Sequence, residues 1–124
     1  MIKMTLEENL KKLNQIAKLE DNWNENGANK FSKELINKVD NMLHLLKCQP
    51  EIFPTANDSI QLEWENEDEY YEVNVFENKV HIFQIYKDET SEVDFIEADL
   101  ADLTESIEII CYLINIYTND FIAN

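Results

Sequence analysis

The hydrophobic period of this chain changes at Pro50. Before it, apolar residues recur three and four positions apart; after it they alternate with polar ones, until helical spacing returns near Asp99. Strand side chains alternate between two faces, whereas a helix returns to the same face about every 3.6 residues, so one segment cannot satisfy both patterns. The switch restricts the fold to helical parts and a sheet part, each burying its apolar side against the other.

In the first part, Thr5 followed by Glu8 makes a capping box, and Leu6, Leu10, Leu13, Ile16 and Ala17 share one face. This predicts a helix from Leu6 to Leu19. Glu20 to Lys30 breaks every periodicity with four Asn, the only Gly and Trp23, and reads as a loop in which Gly27 supplies a positive φ. A second helix is expected after Ser32 and before Pro50, burying Leu35, Ile36, Val39, Met42, Leu43 and Leu46 and turning His44 to water.

The alternating part predicts a short strand at Ile52 and Phe53 stopped by Pro54, then a turn at Asn57, Asp58 and Ser59. Ile60, Leu62 and Trp64 form the inner side of the next strand, and Asn66 to Glu69 a turn. Tyr71, Val73 and Val75 line a third strand; a tight turn at Glu77, Asn78 and Lys79 leads to a fourth from Val80 to Tyr86, and a fifth is expected near Val93 to Ile96. The final helix is expected to open at Asp99, with Asp102 in its first turn, and to run to Tyr117 on a stripe of Leu100, Leu103, Ile107, Ile110, Cys111, Ile114 and Tyr117. A second seam, Ile109, Tyr112 and Ile116, lies well away from that stripe. A helix apolar on both sides is either central or shared with another chain, so these three residues are a candidate homodimer seam. The expected fold is α+β: two N-terminal helices, an antiparallel meander of four to five short strands, and a C-terminal helix packed on one face. At 124 residues it is expected to form a single domain over 1–124.

Charge follows the same division. Residues 1–50 hold eight Lys against seven acids (+1), and residues 51–124 hold two Lys against nineteen (−17). Glu63, Glu65 and Glu72 alternate with apolar residues and so project from one sheet face, beside the Asp68-Glu69 turn and Asp88, Glu89, Glu92 and Asp94; Tyr70, Phe76 and Phe83 share that register. Carboxylates interleaved with aromatics have the composition of an interface, although an acidic surface also serves solubility alone. A net charge of −16 without Arg argues against nucleic acid and anionic membranes as partners, since both are bound by cations.

The longest apolar run, Ile109 to Ile114, is too short to span a bilayer, and the N-terminus lacks the apolar core of a secretory signal, so a cytoplasmic location is expected. Cys48 and Cys111 then favour two free thiols over a disulfide. Ten Lys, fifteen Asn and fourteen Ile are what AT-rich codons supply, which points to a low-GC bacterium or its phage.

Little in the sequence supports catalysis. One Gly cannot build a phosphate loop, and Arg is missing for bidentate clamping. Glu63 with Glu65, or Glu77 to Lys79 with Asp68, have the residue types of a metal-dependent site but nothing that separates them from the other acids. His44 and Cys48, four apart, have the spacing of zinc ligands on one helix face, yet His81 and Cys111 do not complete a recognisable set. No metal or other cofactor is expected.

Asn22-Trp23-Asn24-Glu25-Asn26-Gly27-Ala28, then Pro50-Glu51-Ile52-Phe53-Pro54-Thr55, then Ile60-Gln61-Leu62-Glu63-Trp64 together resemble a group of small uncharacterised bacterial proteins. Those carry an N-W-D-G-x-G-A-like loop, a P-x-V-x-P-T segment and an I-x-L-E-W strand. The resemblance implies architecture rather than activity. It departs from the pattern at Asn26, in place of a Gly, and at Ser59, where Asn57 or Asp58 must instead take the left-handed conformation. Trp23 is expected to pin the loop and Trp64 to lie in the core, which leaves Glu63 as the one motif residue that packing does not explain.

The reading these observations favour is a non-catalytic cytoplasmic interaction protein that meets a basic macromolecular partner through Glu63, Glu65, Asp68, Tyr70 and Glu72. An antitoxin, immunity or phage-defence accessory role would suit it, including mimicry of nucleic acid. The alternatives are a small metal-dependent enzyme using Glu63, Glu65, Glu72 and His81, and a structural module that dimerises through Ile109, Tyr112 and Ile116.

Overall fold

A computed structural model of the chain describes residues 3–86, 97–100 and 107–122. The described elements are α1 (Leu6–Ala17), α2 (Lys33–Leu45), β1 (Glu51–Pro54), β2 (Ile60–Glu65), β3 (Glu69–Val75), β4 (Val80–Tyr86), β5 (Glu97–Leu100), α3 (Ile107–Tyr117) and the short α4 (Asn119–Ile122). The strands form one antiparallel sheet in the order β1-β2-β3-β4-β5, a meander, and the class is α+β.

The capping box forms as the sequence dictates: Glu8 N–H donates to Thr5 Oγ1 and Thr5 N–H to Glu8 Oε1, both at 3.1 Å. The buried side of α1 is Leu13, Ile16 and, unexpectedly, Asn9, while Ala17 is exposed and Leu6 and Leu10 are half-buried. Asn9 is fully buried because its Nδ2 donates to Pro50 O (2.8 Å) and Gln49 Oε1 (3.1 Å), tying α1 to the link between α2 and β1. Ser32 caps α2, whose Leu35, Val39, Met42 and Leu43 are buried. That helix stops at Leu46, which takes an extended backbone (φ −83°, ψ 127°). Cys48 therefore does not share a helix face with His44, contrary to the spacing of the two in the sequence.

On the inner sheet face, Ile52, Ile60, Leu62, Trp64, Tyr71, Val73, Val75, Val80 and Ile82 join the core with the inward residues of α1, α2 and α3. Trp64 Nε1 donates to Cys48 O (3.0 Å), and its ring meets Tyr71 edge-on at 5.7 Å; Tyr71 in turn stacks on Tyr117. Cys48 and Cys111 are free thiols.

Two expectations fail at the C-terminal end. Asp99 does not open a helix: it lies in β5, paired with His81, and Leu100 pairs with Val80 instead of contributing to a helical stripe. The expected strand at 93–96, and Asp102 and Leu103 of the expected helix, lie outside the described residues. Within α3, Ile110, Cys111 and Ile114 are buried as expected. Ile109, Tyr112 and Ile116 are not central but exposed, at 62%, 66% and 55%. No helix among the described residues is long and apolar enough to cross a membrane.

Candidate functional site

The outer face of the sheet is set by its register. Glu51 pairs with Glu63, Glu63 with Glu72 and Glu72 with Phe83, so that three carboxylates and an aromatic ring follow one another across four strands. The next row is Phe53, Gln61, Asn74 and His81, and on the other side Glu65 pairs with Tyr70. Directly opposed side chains on antiparallel strands lie about 5 Å apart at Cβ, where like charges are destabilising.

Neutral donors organise this row. Gln61 Nε2 donates to Glu63 Oε2 at 3.1 Å, with a longer contact to Tyr70 Oη at 3.5 Å. Tyr70 Oη donates to Glu72 Oε1 at 2.7 Å, and Asn74 Nδ2 donates to Glu72 Oε2 at 2.6 Å. Burial, followed by the hydrogen bond and negative charge of Glu72 and the charge of Glu63, holds the Tyr70 phenol well above the usual tyrosine range, so it remains a protonated donor. Such donors fix the carboxylates in place without cancelling their charge.

Several of the described lysines engage groups beside the carboxylate row. Lys11 pairs with Glu7 and His44 with Asp40, both along helices. Lys12 covers the Phe53 ring, Lys38 donates to Glu77 O in the β3-β4 turn, and Lys79 covers Phe76. The carboxylates are half-buried at Glu51, Glu63 and Glu72 and exposed at Glu65 and at Asp68 in the β2-β3 turn.

The five residues singled out in the sequence thus fall on one face and its adjoining turn. Glu51, Gln61 and Asn74 were not anticipated, because they join the site only through register. Asp88, Glu89, Glu92 and Asp94 lie outside the described residues. No group of three or more His, Cys, Asp and Glu side chains among the described residues is placed to hold a metal ion, so Glu63, Glu65, Glu72 and His81 do not converge on one point.

The Trp23 loop is ordered internally and touches the turn before β2 at one point. Asn24 Oδ1 accepts from the N–H groups of Asn26 and Ala28, and Asn22 Oδ1 from Gly27 N–H, while Trp23 Nε1 donates to Asn29 O. Asn29 Nδ2 then reaches Asp58 Oδ1 at 3.2 Å, in the turn where Asp58 takes a φ of 65°. Trp23 lies half-buried, 6.0 Å from the Phe31 ring, and so pins the loop. No family model, curated protein or solved structure matches the chain.

Proposed function

We propose that this chain is a non-catalytic interaction protein of the bacterial cytoplasm that binds a basic macromolecular partner through the outer face of β2, β3 and β4. The observation that carries this reading is the row Glu51, Glu63 and Glu72, aligned across three strands, with Glu63 and Glu72 held by neutral donors. Solubility requires only dispersed charge, and stacking like charges in register costs stability. A cationic partner removes that cost on binding, with Tyr70 and Phe83 supplying aromatic contact area beside the carboxylates. An antitoxin, immunity or phage-defence accessory role would use such a surface.

The test is capture of basic proteins from a low-GC bacterial lysate, followed by titration of the retained protein. Affinity is expected to fall at least tenfold between about 50 and 300 mM salt and to be lost in Glu63→Lys and Glu72→Lys. Salt-insensitive binding that survives both substitutions would contradict the reading.

A further inference from the structure

The exposed side of α3 is a second surface, unrelated to the acidic one. Ile109, Tyr112, Leu113 and Ile116 are exposed at 62%, 66%, 38% and 55%, and spacings of three, four and seven put them on one stripe. Leu45 (42%) and Tyr117 (38%) extend it. The patch stands on fixed elements: Asn115 Nδ2 donates to Leu45 O, Lys47 N–H donates to Asn115 Oδ1, and Cys111 Sγ lies against Met42 O.

We infer that this stripe is the contact between two copies of the chain, docked antiparallel through α3 about a twofold axis near Tyr112 and Leu113. The spacing is its own mirror image. In a reversed copy, Ile109 faces Ile116 of the second copy and Tyr112 faces its Leu113, which is the self-complementarity that a twofold contact needs. Covering the six side chains in both copies removes on the order of 1,200 Å² from water, at the lower end of stable interfaces. Charge points to the same occupant. The eleven residues of α3 include one charged side chain, Glu108, although the chain carries −16. The buried side of α3, Ile110, Cys111 and Ile114, joins the core shared with α2 and the inner sheet face, so the exposed stripe points away from the carboxylate row and a twofold pair keeps the two acidic faces apart.

The full chain, at about 100 μM, is expected to show a mass near 29 kDa by sedimentation, twice that of the 14.7 kDa chain. Tyr112→Glu and Ile116→Glu, both at exposed positions and checked for folding by circular dichroism, are expected to return it to monomer. Raised salt should tighten self-association by screening repulsion, the reverse of its effect on a basic partner. Under oxidising conditions Leu113→Cys is expected to cross-link between copies and Ile109→Cys not to, because residues 113 lie near the axis and the two residues 109 are offset by about 10 Å along the paired helices. A monomeric mass for the unsubstituted chain, a dimer unchanged in both Glu variants, or efficient cross-linking through Ile109→Cys would overturn the inference.

Discussion

Glu63 of β2 and Glu72 of β3 stand directly opposite one another on the outer sheet face, each held by a neutral amide or phenol and neither by a cation. Such a pair is unfavourable in the isolated chain. Glu63→Gln retains the shape and keeps a partner for Gln61 while removing one of three aligned charges, so it is expected to stabilise the fold by about 0.2–1 kcal/mol. Urea unfolding measures this, and a clear loss of stability would show that the row is not repulsive.

Tyr71 is 1% exposed and its Oη has no hydrogen-bond partner among the described residues, whereas the Trp64 Nε1 beside it is bonded to Cys48 O. Removing an unsatisfied hydroxyl relieves a desolvation cost. Tyr71→Phe is therefore expected to be neutral or to stabilise by about 1 kcal/mol, and Trp64→Phe to destabilise by roughly 1–3 kcal/mol through the lost bond and volume. Thermal unfolding of the two variants separates them, and a Tyr71→Phe protein as weakened as Trp64→Phe would contradict the assignment.

Gly27 has a φ of +86° and nothing within 4 Å of where a Cβ would stand. Substitution there is strained by backbone conformation and not by a clash. Gly27→Ala is expected to cost about 1–2 kcal/mol and Gly27→Asn less, since Asn tolerates the left-handed region. Equal costs for the two, read from urea midpoints, would point to a steric cause instead.

Burial pushes the Cys111 thiol up to about 12, from 9.0. The folded chain keeps a proton that the unfolded chain releases above pH 9, so this contribution is complete below about pH 9 and declines as pH rises toward 12, by no more than about 1.4 kcal/mol per unit. Tyr70 and Tyr71, both raised chiefly by burial, act in the same direction above pH 10. Unfolding midpoints should fall steadily from pH 9 to 11. Thiol reagents at pH 8 should leave Cys111 untouched until the chain unfolds, and labelling of the native thiol at the rate of an exposed cysteine would contradict its burial.

Features written into short stretches of sequence were legible. Thr5 and Glu8 specify a helix start by themselves, and the alternation from Ile60 to Trp64 separates the two faces of β2 before any partner strand is known. Glu63 could be placed outward, but its alignment with Glu51 and Glu72 depends on how many residues each turn consumes. Asp99 shows the opposite failure. Its side chain suits a helix N-cap, yet its backbone pairs with His81 on β4, and the tertiary pairing overrides the local preference. Cys48 falls outside α2 for a related reason, since Leu46 leaves the helix within an otherwise continuous apolar pattern.

The central claim is that position on the sheet, and not total charge, makes the acidic face a binding surface. Affinity for the captured basic partner should be compared between Glu63→Gln/Glu72→Gln and Glu20→Gln/Glu34→Gln, two double variants of equal net charge whose second pair is exposed in the helical half. A loss of at least tenfold is expected in the first and of less than twofold in the second. Equal losses in the two would contradict it.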